Sequence, residues 1–256
     1  MEFQGLKQLR KHVPDLRSPG HCALIGLIAI TIIGLETAFF LAADHYWPSW
    51  TLDGQVIMIT LAFLVIGQFF WRKEQYQKRF EKRAYRNAFA RYALPGLAMM
   101  MAAVAHVAYM PGPAIPVQWW TPGITLIGVY FIIVGIALWA QAIWAFGADN
   151  LAMLYVYFPE EGRMVQSTIY GLIRHPTYAA VVRIAFGLAL LNGNWFAITF
   201  ALLVPLGLTG WLRLVEEKEL IERFGQIYAE YRRKVPAFWP RVGDWGKFMK
   251  CLLSGK

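Results

Sequence analysis

Reactive and charge-bearing side chains are concentrated between positions 170 and 236 of this chain. In order they are Tyr170, Arg174-His175-Pro176, Tyr178, Glu216-Glu217, Tyr228 and Tyr231. A long apolar stretch separates the basic members from the acidic pair, so polar groups stand at both ends of a membrane-length segment. This order indicates a pocket at the water–lipid boundary, where a soluble cofactor meets a lipid-borne substrate.

Arg174 and His175 stand directly ahead of a predicted helix start. A proline favours extended backbone in the residue before it and is well suited to the first position of a helix, so Pro176 predicts that start. The free N–H groups and partial positive charge of a helix N-terminus, together with Arg174, make a site for a carboxylate or phosphate. The structural alternative is an interfacial arginine that extends to lipid headgroups.

Glu216 and Glu217 follow the apolar stretch and return to the same membrane face as Arg174. Carboxylates there suit sugar hydroxyls or a cationic group, whereas ordinary i,i+4 ion pairs on a solvated helix are the alternative. Tyr228 and Tyr231 share one helix face with other apolar residues. That face is either a packing stripe or a place where two hydroxyls reach a ligand.

The composition is that of an integral membrane protein. Of 256 residues, 57% are hydrophobic and 16% are charged, whereas soluble domains carry about 25% charged residues. The net charge of +9 could suggest nucleic-acid binding, but no basic run contains a motif that reads nucleic acid. The five histidines and two cysteines have no metal-ligand spacing, so we expect no metal site.

The apolar runs predict an all-α fold, a polytopic membrane helix bundle of about six transmembrane helices. Four runs are clear, and a fifth region, 178–214, is long enough for two helices and is broken at Asn192-Gly193-Asn194. We therefore expect the last two helices to form a helical hairpin, followed by a cytoplasmic C-terminal amphipathic helix. The four clear runs are 22–43, 55–71, 92–110 and 123–146.

The Lys and Arg residues predict the orientation. Of the 25, 24 lie in segments on one side of the predicted bundle, and the intervening segments 43–54 and 111–122 have none. The positive-inside rule then places both termini in the cytoplasm. The loop 72–91 carries eight of these residues and predicts an amphipathic surface helix, either attracted to anionic lipids or serving topology alone.

Two charged residues fall inside predicted spans. Arg183 either holds the carboxylate or phosphate of an acceptor or extends to the nearby interface. Glu36 in the first span is interpreted as a hydrogen-bonding group in the bundle interior.

Taken in this order, the motifs resemble the isoprenylcysteine carboxyl methyltransferase and phospholipid methyltransferase superfamily of integral membrane methyltransferases. Residues 147–241 carry the resemblance. The chain departs from the family pattern where Thr168 replaces a Gly, Ile169 a frequent Pro and Gly162 a His. The matching residues are Gly147, Val165, Tyr170, Arg174-His175-Pro176-Thr177-Tyr178, Glu216-Glu217, the segment FGQIYAEY (224–231) and Val235-Pro236.

The resemblance implies S-adenosylmethionine in a cytoplasmic pocket without a Rossmann fold. We expect Arg174 and the helix start to hold the cofactor's carboxylate, and Glu216 to take its amino group or ribose hydroxyls. Arg183, Tyr228 and Tyr231 are the predicted catalytic residues. The implied cofactor-binding residues are Val165, Tyr170, Arg174, His175, Pro176, Tyr178, Glu216 and Glu217.

The predicted reaction is methyl transfer to a hydrophobic or lipid-anchored acceptor, of the isoprenylcysteine carboxylate or the phospholipid type. One alternative is a NADPH-dependent membrane reductase of the sterol type, which shares the Arg-His-Pro-x-Tyr segment. However, Ala179-Ala180 follow where reductases have Gly-Glu-like residues. The other is a non-enzymatic membrane protein with the same fold. The sequence indicates no oligomeric state.

The predicted domain organisation has four parts. They are a cytoplasmic tail (1–21), four transmembrane helices with the basic loop 72–91 (22–146), a catalytic cofactor-binding region with the hairpin (147–241) and a C-terminal tail (242–256).

Overall fold

The structure is a computed structural model that describes residues 5–116 and 121–255. Its principal elements are helices joined by short turns, which confirms the predicted all-α fold. The main helices are α1 (Leu6–His12), α2 (Pro19–Tyr46), α3 (Thr51–Trp71), α4 (Lys73–Phe80), α5 (Ala84–Ala88), α6 (Leu94–His106), α7 (Thr121–Phe146), α8 (Pro176–Asn192), α9 (Trp195–Trp211), α10 (Glu217–Phe224), α11 (Gln226–Lys234) and α12 (Trp245–Ser254).

Five helical segments of the described chain are long and apolar enough to cross a membrane. The sixth apolar helix, α8, has 17 residues and is shorter than the others. The chain is therefore a multi-pass membrane protein. The five segments are Pro19–Tyr46, Pro48–Trp71, Lys73–His106, Thr121–Phe146 and Trp195–Phe224.

The predicted hairpin is formed by α8 and α9, and its turn is fixed by side chains. Gly193 ends α8 with a φ of 72°, a left-handed conformation that glycine adopts without steric cost. Asn194 then caps α9 by accepting a hydrogen bond from the backbone of Ala197 at 2.8 Å. The amides of Asn192 and Asn194 donate to the carbonyl of Met110 at 3.0 and 2.7 Å. The hairpin turn and the end of α6 therefore lie at the same end of the bundle.

Helices α7 and α8 make the closest backbone approach in the bundle core. A Cβ atom added at Gly187 would lie 2.7 Å from the carbonyl oxygen of Gly128, and one added at Gly135 would lie 3.1 Å from that of Ala180. Small residues of this kind let transmembrane helices pack through their backbones. The glycines thus hold the short helix α8 against α7.

The segment predicted as a basic loop is largely helical. Helices α4 and α5 lie within it, and a π-helical turn, Phe89–Ala93, joins α5 to α6. The third membrane segment is therefore continuous from Lys73 to His106.

Both terminal segments pack against the rest of the molecule. At the N-terminal end, His12 and Lys11 contact Glu161 at 2.7 and 2.9 Å. The C-terminal segment, predicted as a tail, contains α12, whose Phe248 and Cys251 are buried in the main hydrophobic core. Glu36 is buried in α2, but neither of its carboxylate oxygens has a hydrogen-bond partner among the described residues, so the predicted hydrogen bond is not observed.

Candidate functional site

The Arg174-His175 dipeptide is held in place by backbone hydrogen bonds to the segment that follows α11. The N–H of Arg174 donates to the carbonyl of Pro236 at 2.9 Å, and that of His175 donates to the carbonyl of Ala237 at 3.1 Å. Pro176 is the first residue of α8, as the sequence predicts. Both side chains are therefore placed immediately ahead of a helix N-terminus.

The acidic pair reaches this point through an irregular helix. A π-helical turn, Leu212–Glu216, joins α9 to α10 without a break, so Glu216 and Glu217 lie at the junction. Turns of this kind are frequent at functional sites. The hydroxyl of Tyr178, one turn into α8, donates to Glu216 at 2.5 Å.

Glu217 is fully buried and is surrounded by cationic groups. One of its oxygens accepts from Arg174 Nε at 2.8 Å and contacts His175 Nε2 at 3.1 Å, and the other lies 3.1 Å from Arg232 Nε. A buried carboxylate requires such partners because desolvation of an isolated charge is costly. Glu217 is thus the central anion of the cluster and is fully neutralised by protein groups.

His175 lies between the two carboxylates. Its Nε2 contacts Glu217, and its Nδ1 lies 3.5 Å from Glu216. Burial acts to lower the pKa of His175, but hydrogen bonds to Glu216 and Glu217 and their charges outweigh it, so the pKa is raised. Because both ring nitrogens face carboxylates, the protonated form of His175 is favoured.

Three tyrosines surround the cluster. The hydroxyl of Tyr231 donates to the carbonyl of Tyr170 at 2.7 Å, which ties α11 to the loop before α8. The hydroxyl of Tyr228 is buried and has no hydrogen-bond partner among the residues described. Burial raises the pKa of Tyr170, Tyr228 and Tyr231, so all three remain protonated at neutral pH.

The loop before Tyr170 borders a cavity of about 640 Å³ at the end of α7. Val165 lines it together with Gln141 and Trp144. Within this loop Thr168 has a φ of 54°, a left-handed conformation in which a β-branched residue is strained. This is the position at which the family pattern has a glycine, and the backbone keeps the conformation that favours glycine.

The guanidinium of Arg174 is paired within the protein. Its Nε is bonded to Glu217, and its Nη1 donates to the carbonyl of Val235 at 2.8 Å. The guanidinium also lines a cavity of about 440 Å³ beside Arg232 and Arg233. Arg174 therefore organises the cluster and shares a basic cavity with two further arginines.

The structure does not bring Arg183 into this cluster. Its Nη1 donates to the carbonyls of Ala179 and Phe238 at 2.8 and 3.1 Å, and its guanidinium lies 4.1 Å from the centre of the Trp239 ring. These contacts hold the C-terminal segment against α8. The catalytic role that the sequence predicted for Arg183 stays a prediction.

Tyr155, Glu219 and Arg223 were missed by the sequence analysis. The Arg223 guanidinium lies 4.1 Å above the Tyr155 ring and 3.3 Å from Glu219. Burial, followed by the charges of Glu216 and Glu219, raises the pKa of Tyr155. The i,i+4 spacing of Glu219 and Arg223 was visible in the sequence, but their approach to Tyr155 depends on the fold.

Comparison with known proteins agrees with this arrangement. Residues 124–227 match the phospholipid methyltransferase family. The chain belongs to the isoprenylcysteine carboxyl methyltransferase and phospholipid methyltransferase superfamily. The matched region extends from α7 into α11 and includes Arg174, His175, Glu216 and Glu217.

Two curated relatives are similar to this chain in sequence. Protein-S-isoprenylcysteine O-methyltransferase B of Arabidopsis thaliana is 29% identical over 157 residues, which cover 59% of this chain and 74% of the relative. Protein-S-isoprenylcysteine O-methyltransferase of Schizosaccharomyces pombe is 33% identical over 79 residues, which cover 31% and 34%. No solved structure matches the chain significantly. Both names are those of methyltransferases, which favours methyl transfer over the reductase alternative.

Proposed function

We propose that this membrane methyltransferase transfers a methyl group from S-adenosylmethionine to the carboxylate of a lipid-like acceptor at the cytoplasmic membrane face. The observation that carries the proposal is the junction at Glu216, where a carboxylate meets His175 and the hydroxyl of Tyr178. The names of the two relatives support an acceptor of the isoprenylcysteine type. The Lys and Arg distribution supports the cytoplasmic face.

Glu216 is the residue best placed to bind a cationic or hydroxylated part of the cofactor. Glu217 is neutralised by two arginines and His175, whereas Glu216 is contacted by the neutral hydroxyl of Tyr178 and by His175 at the longer distance of 3.5 Å. Its charge is therefore the less compensated of the two. We assign it the ammonium group or the ribose hydroxyls.

The basic cavity beside Arg174 is our candidate site for the cofactor's carboxylate. Arg174, Arg232 and Arg233 all line it, and Glu217 balances only part of their charge. Guanidinium groups bind carboxylates through paired, charge-assisted hydrogen bonds. Tyr228, whose hydroxyl is unpartnered among the described residues, lies on α11 with Arg232 and Arg233, whereas Val165 lines the separate cavity at the end of α7.

The protonation states of the site favour a carboxylate acceptor. S-adenosylmethionine supplies a methyl group on a sulfonium, and a carboxylate oxygen displaces the neutral thioether without losing a proton. An amine acceptor would require a base, but Glu216 and Glu217 favour the protonated form of His175, and the tyrosines remain protonated. The protein's contribution is then to bind, align and exclude water.

Ligand-induced stabilisation tests the cofactor. We expect S-adenosylhomocysteine to raise the melting temperature of the purified protein and NADPH to leave it unchanged, since only a ligand of the folded state stabilises it. Glu216→Gln should remove the response, whereas Glu222→Gln, an exposed carboxylate on the same helix, should retain it. Stabilisation by NADPH alone would reverse the assignment.

The chemical stability of the product tests the acceptor. Protein incubated with S-farnesylcysteine and methyl-labelled S-adenosylmethionine should give a lipid product whose label is released by mild base, as expected for a methyl ester. A base-stable label on phospholipid would instead identify an amine acceptor and would contradict the carboxylate proposal.

A further inference from the structure

A second cavity lies at the end of the bundle opposite the Arg174 cluster. It has a volume of about 450 Å³ and lies where α2 ends and α3 begins. The end of α6 also lies at this end of the bundle, because its His106 contacts Asp44. The lining residues are Phe39, Phe40, Ala43, Asp44, Trp47, Trp50, Thr51 and Gly54.

Asp44 is the charged group of this lining, and its geometry is fixed from two helices. One oxygen accepts from the hydroxyl of Thr51 at 2.8 Å, and the other lies 2.8 Å from His106 Nε2. The side chain of Asp44 is 10% exposed and that of His106 is 0% exposed. A carboxylate has about four lone-pair positions, so these two bonds leave Asp44 able to accept from a ligand in the cavity.

The hydrogen bonds also define where protons lie. Gln55 Nε2 donates to the carbonyl of Ala103 at 2.6 Å, so Gln55 presents its oxygen to His106 Nδ1 at 2.7 Å, and that nitrogen carries a proton. A further proton must then lie between His106 Nε2 and Asp44. The Asp44–His106 pair is therefore held by hydrogen bonds on both sides. The ring of Phe40 stacks on the imidazole, with 3.9 Å between the ring centres.

The remainder of the cavity is aromatic and open. Trp47 and Trp50 are each 63% exposed, and Phe39 is half exposed. Aromatic faces carry negative quadrupole potential and attract cations, most strongly when tryptophan supplies the face. Amine and quaternary ammonium groups are bound in this way where aromatic rings surround an acidic residue.

The charged residues near this cavity also favour a cationic ligand. Segments 43–54 and 111–122 contain no Lys or Arg, whereas Asp44 and Asp53 both lie in the first of them. An anionic headgroup would find no lysine or arginine in these segments to bind. A cationic group meets both a carboxylate and π faces.

We propose that this cavity binds the ammonium group of a zwitterionic phospholipid, with Asp44 accepting from or facing the cation and Trp47 and Trp50 covering it. The acyl chains then lie along the apolar surface of α2, where Leu35 and Phe39 are exposed. The site is separate from the Arg174 cluster and does not depend on the methyl-transfer proposal.

Native mass spectrometry of the detergent-purified chain tests this site with defined lipids. Phosphatidylethanolamine, phosphatidylcholine and phosphatidylglycerol with identical acyl chains are added in equal amounts. We expect the two ammonium lipids to be retained over phosphatidylglycerol by roughly fivefold, the scale of one cation–π contact. Equal retention of phosphatidylglycerol would overturn the proposal.

The Asp44→Asn variant tests the charge of Asp44 without disrupting the hydrogen bonds around it. The amide oxygen still accepts from Thr51, and the amide nitrogen donates to an unprotonated His106 Nε2, so the hydrogen-bond network is conserved. We expect the preference for ammonium lipids to disappear in Asp44→Asn and in the Trp47→Leu, Trp50→Leu double variant. Asp53→Asn, an exposed acid of the same segment outside the cavity, should keep it. An unchanged preference in Asp44→Asn, or an equal loss in Asp53→Asn, would contradict a defined site.

Discussion

His175 is buried, and two carboxylates raise its pKa, which sets a pH dependence of stability. Because its folded-state pKa lies above the unfolded value of about 6.5, its contribution is fully present below pH 6.5 and is lost as pH rises through the folded pKa. We expect the free energy of unfolding to fall as the pH rises above about 6.5. Thermal unfolding in detergent across this range provides the measurement.

The His175→Gln variant supplies the comparison for this dependence. It should be less stable than the wild-type protein at pH 6 and should lose much of the decline at higher pH. His21→Gln, which alters an exposed histidine, should follow the wild-type curve. Parallel curves for wild type and His175→Gln would show that this imidazolium does not govern the decline.

Glu217 should matter more for stability than for ligand contact. Replacing it by Gln leaves Arg174, His175 and Arg232 around a neutral amide, and removal of one partner of a buried ionic group costs about 3–5 kcal/mol. Glu222→Gln, on the exposed side of the same helix, should stay within about 0.5 kcal/mol. Reversible unfolding measured by denaturant titration compares them, and a loss below about 1 kcal/mol for Glu217→Gln would contradict this view.

At the scale of residues, the sequence predicted which side chains lie together better than it predicted which of them form hydrogen bonds and ion pairs. Arg174, His175, Tyr178, Glu216 and Glu217 lie together as the motif order indicated. The pairing of Arg174 with Glu217 was not predictable, because it depends on how α10 turns toward α8 after the π-helical junction. The contacts of Arg183 were not predictable for a similar reason, since its aromatic partner Trp239 lies in a distant part of the chain.

At the scale of elements, the loop before α8 stores backbone strain at Thr168. Thr168→Gly should stabilise the protein by roughly 0.5–1 kcal/mol, because relief of the left-handed conformation exceeds the entropy that glycine adds to the unfolded chain. Ser167→Gly is the control, since Ser167 is extended with a φ of −95° and gains nothing. Equal melting temperatures for Thr168→Gly and wild type would argue against strain at this loop.

The α7–α8 contact makes a second prediction at this scale. Gly187→Ala should destabilise the protein by about 1–3 kcal/mol, because the new methyl group would lie 2.7 Å from the Gly128 carbonyl. Gly207→Ala alters another transmembrane glycine with no atom near its Cβ position and should be close to neutral. Melting temperatures of the two variants decide the point, and similar values would mean that the contact is loose.

The hairpin was predictable because local chemistry specifies it. Pro176 marks its start, and the Asn192-Gly193-Asn194 turn combines a left-handed glycine with an N-cap. The two π-helical turns were not predictable, since no residue type marks an extra residue within a helix. The helical nature of the segment 72–91 was anticipated, but its continuity with α6 was not.

For the whole molecule, the charge distribution predicts which end faces the cytoplasm. In a background with Cys22→Ser and Cys251→Ser, we expect Ser49→Cys to react with an impermeant maleimide added outside intact cells. Lys82→Cys should react only after the membrane is permeabilised, because it lies in the basic segment. Reaction of Lys82→Cys in intact cells would reverse the topology and would place the Arg174 cluster outside.

The segment from Pro236 to Phe248 has a consequence for biosynthesis. It supplies the carbonyls that pair with Arg174 and His175, as well as the rings of Trp239 and Phe248 near Arg183. Helix α8 is only about 26 Å long and contains Arg183. A helix this short that carries a charge inserts poorly on its own, so we expect α8 to leave the translocon and enter the bilayer together with α9. The ribosome makes its covering segment only afterwards. A nascent chain therefore cannot complete the Arg174 cluster until the segment after α11 has been synthesised.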